Sequence, residues 1–170
     1  MTTGRIQVYT GTGKGKTTAS LGLVLRAVGA GWRVFFGQFV KGRESSEVVA
    51  LERLGVTVYR CGGRQFIMGP PSADDRQAAR QGLAVARQAL ASGDYDLVVL
   101  DEASIAVDCG LFSVNDLLDA LAARSASVEV VVTGRGAHPK LLEYADLVTE
   151  MREIKHYYHA GLEARRGIEH

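Results

Sequence analysis

The stretch YTGTGKGKTTASLG, residues 9–22, joins a short apolar run to a predicted helix. Its glycines, Gly11, Gly13 and Gly15, allow the backbone to turn tightly and to present consecutive N–H groups to an anion. A helix that begins at Lys16 adds its unpaired N–H groups and the positive end of its dipole at the same point. The stretch therefore predicts a loop that holds phosphate groups.

This loop matches the phosphate-binding pattern G-x-x-x-x-G-K-[ST] at every position except the first, where Thr10 replaces glycine. We expect Thr10 to alter the path of the loop at its entrance. The pattern assigns the terminal phosphates to Lys16 and a Mg²⁺ or Mn²⁺ ion to the Thr17 hydroxyl. A glycine-rich turn with an incidental lysine is the alternative. Phosphate contacts are expected from Thr10, Gly11, Thr12, Gly13, Lys14, Gly15, Lys16, Thr17 and Thr18.

Short apolar runs alternate with helical patterns along the whole chain. Several runs are apolar at consecutive positions, as in strands buried on both faces of a parallel sheet. The runs begin at Ile6, Arg33, Val56, Leu97 and Val128, with a weaker one at Leu147. Helices are predicted over 16–29, 47–54, 113–124 and 139–144, and from a capping box at Ser72 and Asp75 to a stop at Gly93.

This alternation predicts an α/β fold with three layers and right-handed crossovers. We expect one P-loop NTPase-like (RecA-like) domain over residues 1–170. Its central sheet should be mostly parallel, with five to six strands flanked by helices. Ligands of such sheets bind beyond the carboxyl ends of the strands, so the polar residues that follow each strand are the candidates for a site.

Two acidic residues end the predicted strand LVVLDE, residues 97–102. A small hard cation needs oxygen ligands beside the phosphates, so Asp101 is expected to hold Mg²⁺ directly or through water. Glu102 is expected to complete the metal shell, to polarise a water molecule or to cap the following segment. We therefore place the metal at Thr17, Asp101 and Glu102, and catalytic roles at Lys16, Thr17 and Glu102.

The composition limits the classes of function. Charged residues make up 23% of the 170 residues and nearly cancel, with a net charge of +1, so nucleic acid is not an expected partner. No run approaches the roughly 18 apolar residues of a membrane span, and the N-terminus lacks a signal pattern. The two cysteines, Cys61 and Cys109, fit a reduced chain. We expect a soluble, cytoplasmic protein without a membrane partner.

Seven stretches, spread over almost the whole chain, occur in an order typical of one enzyme family. They are GTGKGKTT (11–18), GQFVKG (37–42), YDLVVLDE (95–102), VVTGRG (131–136), ADLVTEM (145–151), IKH (154–156) and GIE (167–169). In this combination the chain resembles the P-loop ATP:corrinoid adenosyltransferases.

The resemblance implies transfer of the 5′-deoxyadenosyl group of ATP to the Co(I) of a reduced corrinoid, with release of intact triphosphate. The acceptor would be cob(I)alamin or cob(I)yrinic acid a,c-diamide, in adenosylcobalamin biosynthesis or salvage. Because Co(I) is itself the nucleophile, the protein has to supply orientation and charge stabilisation on the leaving triphosphate. A reductase or another electron donor is an implied partner, and a homodimer is the expected assembly.

The resemblance also implies further site residues. Arg135 is expected to contact phosphate or a corrinoid carboxamide, with a structural ion pair as the alternative. Gln38 and Lys41 are expected to meet the corrinoid or the nucleotide, with a solvated loop as the alternative. Phe66 is the candidate for the lower face of the corrinoid, where better-known members carry a tryptophan; a buried core position is the alternative. The only tryptophan here is Trp32, just before the second predicted strand.

Two other classes of protein remain compatible with the loop. One is a P-loop ATPase that hydrolyses ATP, with Glu102 orienting the water molecule. The other is a nucleotide-binding regulatory protein in which bound ATP switches a partner interaction. The absence of an N-K-x-D guanine-reading motif disfavours a GTPase. Product analysis separates the three classes, because they give tripolyphosphate with adenosylated corrinoid, ADP with phosphate, or no turnover.

Overall fold

A computed structural model describes residues 3–40, 46–61 and 69–169. In these ranges six strands form one sheet, in the order β3-β2-β4-β5-β1-β6, and every pair of neighbours is parallel. The strands are β1 Ile6–Thr10, β2 Val34–Gln38, β3 Thr57–Arg60, β4 Leu97–Asp101, β5 Glu129–Thr133 and β6 Leu147–Glu150. The predicted α/β fold with a parallel sheet flanked by helices is confirmed.

The helices account for most of the crossovers between these strands. They are α1 Lys16–Gly29, α2 Ser46–Arg53, α3 Ala73–Ser92, α4 Ala103–Asp108, α5 Val114–Ala122 and α6 Pro139–Tyr144, followed by a 3₁₀ turn at Tyr157–Ala160. The predicted bounds of α1 and α6 are confirmed. Helix α4 was not predicted from the sequence, because it has only six residues and starts directly after a strand without a side-chain cap.

Within the described ranges the core consists of two apolar clusters, one on each face of the sheet. Successive residues of β4 alternate between them: Val98 and Leu100 pack with α3 and α5, while Leu97 and Val99 pack with α1 and α2. All four side chains are at most 1% exposed. Burial on both faces explains why this strand is apolar at consecutive positions.

The longest helix, α3, shows how local signals and tertiary packing combine. Its predicted capping box is confirmed, with the Ser72 side chain accepting from the Asp75 N–H, and Gly93 ends the helix at φ 74°. Gly82 lies in the middle of α3 against the end of β3. A Cβ atom at this position would lie 2.3 Å from Cβ of Cys61, so only glycine fits without a shift.

None of the helices in the described ranges combines the length and the apolar character needed to span a bilayer.

Candidate functional site

The glycine-rich loop connects β1 to α1 at the carboxyl edge of the sheet. Gly11 at φ 98° and Gly15 at φ 117° adopt the left-handed conformation that favours glycine. Gly15 is the N-cap of α1 and makes no side-chain capping bond, so the first N–H groups of α1 remain available at the loop. This is the arrangement that binds anions at a helix N-terminus.

The chain that follows β6 packs directly on this loop. The Met151 N–H donates to the Thr10 carbonyl at 2.9 Å, and the Gly13 N–H donates to the Met151 carbonyl at 2.7 Å. A Cβ on Gly11 would lie 2.4 Å from the Met151 oxygen, and one on Gly13 would lie 2.8 Å from the Arg152 carbonyl carbon. These two glycines therefore serve the close approach of residues 151–152 as well as the turn. A phosphate contact of Gly13 stays a prediction.

Lys16 is only 7% exposed, and its ammonium group lies against the loop itself. Nζ donates to the Gly11 carbonyl at 2.9 Å and to the Gly13 carbonyl at 2.7 Å. Burial, reinforced by the positive charge of Arg135, lowers the pKa of Lys16, while the nearby carboxylates act in the opposite direction. The ammonium group is thus held by two neutral acceptors at the place where an anion would add countercharge.

The carboxyl ends of three strands meet at the Asp101 carboxylate. Oδ1 accepts hydrogen bonds from the Thr17 hydroxyl at 2.9 Å and from the Thr133 hydroxyl at 2.7 Å. Nε2 of Gln38 lies 3.5 Å from Oδ2. Asp101, Thr133 and Gln38 are fully buried, at 0% exposure. The structure therefore brings the predicted metal ligands Thr17 and Asp101 into contact, as a set of hard oxygen donors.

Glu102 lies next to this cluster in an unusual backbone conformation. Its φ of 61° is left-handed, which costs a residue with a Cβ about 1 kcal/mol. Its N–H donates to the Thr133 hydroxyl at 3.0 Å. Glu102 is the N-cap residue of α4, but its side chain makes no capping hydrogen bond. The capping role considered from sequence is therefore not the role of this side chain, which lines the cavity instead.

A cavity of about 590 Å³ opens over the loop. Most of the predicted site residues line it: Thr12, Gly13, Lys14, Gly15, Lys16, Thr17, Thr18, Glu102 and Arg135. The cations in the lining are Lys14, Lys16 and Arg135, and the carboxylates are Glu47, Glu102, Glu153 and Glu169. Among the described residues that line it, carboxylates thus outnumber the lysine and arginine side chains by one.

The other predicted residues lie deeper or outside the described ranges. Thr10 is buried at the end of β1, where its hydroxyl accepts from the Ala137 N–H at 3.3 Å. This bond ties the loop after β5 to the glycine-rich loop, residues 11–18, which we call the cradle. Gln38 is enclosed beside Asp101, and its contact with the corrinoid stays a prediction. Lys41 and Phe66 fall outside the described residues.

A cluster of side chains that was not predicted from the sequence joins the glycine-rich loop to the turn at residues 165–169. The Lys14 ammonium donates to Tyr157 OH at 2.8 Å and to Glu169 Oε1 at 2.8 Å. Hydrogen bonds from Lys14, Tyr157 and Arg165 hold the pKa of Glu169 far below its ordinary value, and the bond to Glu169 raises the pKa of Lys14. The GIE stretch belongs to the family resemblance, but no spacing in the sequence connects residue 169 with residue 14.

A parallel sheet with a glycine-rich loop between its first strand and first helix, and Lys-Thr at the start of that helix, defines a P-loop domain. Residues 2–170 match the family described as "ATP:corrinoid adenosyltransferase BtuR/CobO/CobP". The chain belongs to this family, and the resemblance drawn from the motifs is confirmed.

Three corrinoid adenosyltransferases are similar to this chain along most of their length. A "Corrinoid adenosyltransferase" of Pseudomonas aeruginosa is 41% identical over 172 residues, which cover 98% of this chain and 83% of that protein. One from Escherichia coli K12 is 38% identical over 169 residues, covering 98% and 86%. The "Corrinoid adenosyltransferase CobA" of Salmonella typhimurium is 37% identical over 169 residues, with the same coverage. The family is one of enzymes, and the chain is a transferase of this class.

Proposed function

We propose that residues 11–18 hold the triphosphate of ATP undivided while the Co(I) of a reduced corrinoid attacks the 5′ carbon. The electron pair of Co(I) forms the cobalt–carbon bond, the C5′–O bond breaks, and its electron pair leaves with the triphosphate. The observation that carries this proposal is the cradle itself, since Lys16, Thr17 and the open N-terminus of α1 converge on one cavity in a chain of this family.

In this reaction the residues of the cradle orient and stabilise rather than attack. The first N–H groups of α1 and the Lys16 ammonium would meet the negative charge that grows on the leaving triphosphate. Holding the triphosphate still also fixes the direction from which the 5′ carbon can be approached. Arg135, which lines the cavity at its exposed side, is proposed to contact the phosphates or a corrinoid carboxamide.

We also propose a Mg²⁺ or Mn²⁺ ion at Thr17 and Asp101, with Glu102 beside it. The hydroxyl of Thr17 and Oδ1 of Asp101 are hard oxygen donors already 2.9 Å apart, which suits such a cation. A second reason is that a triphosphate in the cavity adds negative charge beside the carboxylates of Glu47, Glu102 and Glu153. When bound, the ion would supply positive charge against the triphosphate.

Product analysis tests the proposal. The enzyme is incubated with ATP, Mg²⁺ and chemically reduced corrinoid, and we expect a photolabile cobalt–carbon product with an equal amount of tripolyphosphate. ADP with phosphate would instead identify an ATPase, and bound ATP without turnover a regulatory protein. Omitting the divalent ion should abolish transfer, and full activity in a chelator would contradict the metal site.

Two partners complete the proposal. Transfer begins from Co(I), so a reductase or another electron donor has to reduce Co(II) first. Chemical reduction in the assay separates the donor from the transfer step.

A homodimer is proposed because apolar side chains are exposed at the edge of the sheet. Leu147 and Val148 of β6 are each 45% exposed, and Tyr144 just before them is 42% exposed.

A further inference from the structure

The ammonium group of Lys14 is fully used by the protein, although it lines the cavity. A lysine ammonium carries three N–H donors. Nζ donates to Tyr157 OH at 2.8 Å and to Glu169 Oε1 at 2.8 Å. The third bond goes to the Ile168 carbonyl at 3.1 Å. As the side chain stands, no donor remains for a phosphate oxygen.

Glu169 is the centre of this cluster, and its carboxylate is held from several sides. Arg165 donates its backbone N–H to Oε2 at 2.7 Å and its guanidinium to Oε1 at 3.3 Å. Tyr157 OH donates to Oε1. The side chain of Glu169 is only 16% exposed, against 37% for Lys14. A carboxylate neutralised by two cations can stand beside an anion site with little repulsion.

Tyr157 contacts both cations that hold Glu169. Its hydroxyl accepts a hydrogen bond from Lys14 Nζ, and its ring centroid lies 5.2 Å from Cζ of Arg165, within the range of cation–π attraction. The tyrosine thus contacts Lys14 and the carboxylate through its hydroxyl and Arg165 through its ring. We call these four side chains, Lys14, Tyr157, Arg165 and Glu169, the clasp.

The clasp attaches a turn that forms part of the cavity wall. The turn is closed by the Glu169 N–H, which donates to the Arg165 carbonyl at 3.0 Å. Gly167, Ile168 and Glu169 line the same cavity as the cradle. About 590 Å³ stays open with the turn in place, so the turn bounds the cavity rather than filling it.

We propose that Glu169 is a positioning residue, which holds Lys14 through the clasp and thereby fixes residues 165–169 as a wall of the nucleotide site. Lys14 then acts on the nucleotide through this wall and not as a direct phosphate ligand. The inference rests on the proposed function, because it takes the cavity over the cradle to be the place where ATP binds.

A double-mutant cycle tests the coupling. Lys14→Ala, Glu169→Ala and the double variant are compared with the wild type for the dissociation constant of Mg-ATP by calorimetry. Each single change should weaken binding about fivefold, and the double variant should bind no more weakly than either single one. Glu163→Ala, an exposed glutamate of the same segment, is the matched control and should bind as the wild type does.

Steady-state kinetics separate positioning from a loss of fold. With reduced corrinoid, the KM for ATP should rise about fivefold in Glu169→Ala while kcat and the KM for corrinoid change less than about twofold. Glu169→Gln, which keeps two hydrogen-bonding groups at the same length, should recover part of the loss. If the KM for ATP, the KM for corrinoid and kcat all worsened by the same factor, the fold would be damaged in general, and the assignment of Glu169 would be overturned.

Three results of the cycle contradict the proposal. If Lys14→Ala weakens ATP binding while Glu169→Ala tightens it, Glu169 competes with the triphosphate for Lys14 and the turn is a displaceable latch. If the two effects multiply in the double variant, Lys14 meets phosphate independently of Glu169. If Glu169→Ala binds like the control, the carboxylate has no role in the nucleotide site.

Tryptic cleavage provides a readout that does not depend on the nucleotide. Cleavage after Arg165 and Arg166 should be slow in the wild type and faster in Lys14→Ala and in Glu169→Gln, because the clasp holds the turn against the loop. Unchanged cleavage after Arg165 and Arg166 in both variants would overturn the clasp. A wild type that makes no cobalt–carbon product but shows this protection would refute the proposed function alone.

Discussion

Glu102 occupies a backbone conformation that L-residues with a Cβ rarely adopt, at the point where β4 passes into α4. The strain is tolerated because its N–H is bonded to Thr133 and its position is fixed by the buried Asp101 before it. Such outliers cluster at functional sites, since the surrounding structure has to compensate for their cost. Here the conformation carries the Glu102 side chain to the cavity.

Replacing Glu102 separates this strain from the chemistry of its carboxylate. Because alanine keeps the Cβ and glycine removes it, Glu102→Ala should be about 1 kcal/mol less stable than Glu102→Gly in urea unfolding, the reverse of the usual order. Both variants should lose transfer activity if the carboxylate serves the site. A more stable alanine variant would contradict the strained conformation, and full activity in either variant would remove Glu102 from catalysis.

The positive charge of Lys16 can attract an anion, because the two groups that accept hydrogen bonds from its ammonium are neutral carbonyls. Lys16→Ala is expected to lower the transfer rate at least about a hundredfold, even with chemically reduced corrinoid, since it removes charge stabilisation from the leaving group. The rate of tripolyphosphate release measures the effect. Lys140→Ala on α6, which does not line the cavity, is the control, and a normal rate in Lys16→Ala would mean that the phosphates bind elsewhere.

The clasp makes a prediction about pH. Its hydrogen bonds raise the pKa of Lys14 above the ordinary 10.5 and lower that of Glu169 below the ordinary 4.5. The stabilising effect of the clasp is therefore complete between pH 4.5 and pH 10.5. It is lost as the pH falls from 4.5 through the lowered pKa of Glu169, or rises from 10.5 through the raised pKa of Lys14. Tryptic release of the turn should accordingly not vary between neutral and mildly alkaline pH beyond the variation of a free peptide control.

At the scale of the elements, two glycines lie inside helices, and nothing in the sequence tells them apart although their surroundings differ. Gly82 of α3 is packed against Cys61, whereas a Cβ on the exposed Gly22 of α1 would meet nothing within 4 Å. The first glycine is therefore required by the approach of α3 to the end of β3. The second only lowers the intrinsic stability of its helix.

Alanine at these two positions should have opposite effects on the free energy of unfolding. Gly22→Ala is expected to stabilise the protein by up to about 1 kcal/mol, because alanine is the better helix former. Gly82→Ala should destabilise it by about 1–2 kcal/mol, because the clash at 2.3 Å outweighs the gain in helix propensity. Urea denaturation of the two variants measures both, and a stabilised Gly82→Ala would show that α3 can move away from Cys61.

At the scale of the whole molecule, the sheet ends at β6 with apolar side chains exposed. Leu147 and Val148 are neighbours in a strand, so their side chains point to opposite faces, and both are 45% exposed. An apolar edge strand of this kind favours association. If a second copy covers it, light scattering should give the mass of two chains, and Leu147→Glu with Val148→Lys should reduce it to one. A wild type with the mass of a single chain at working concentration would contradict the homodimer.

The strand order also explains how the site is assembled. Placing β6 beside β1 brings the chain after Glu150 onto the glycine-rich loop, where Met151 bonds to Thr10 and Gly13. From there the chain continues to the 3₁₀ turn and the clasp. The part of the cavity wall formed by residues 167–169 therefore depends on the position of the last strand of the sheet.

Sequence alone determined the elements of this protein and the chemistry of its cradle. Apolar runs, capping boxes and the Gly-Lys-Thr pattern act over a few residues, so the α/β fold, the bounds of α1 and the contact of Thr17 with Asp101 at the strand ends were predictable from them. The tertiary structure alone decided that Lys14 is held by Glu169, 155 residues further along the chain, and that Gly13 bonds to Met151. These contacts depend on which strand lies beside β1, and no local pattern encodes that neighbour.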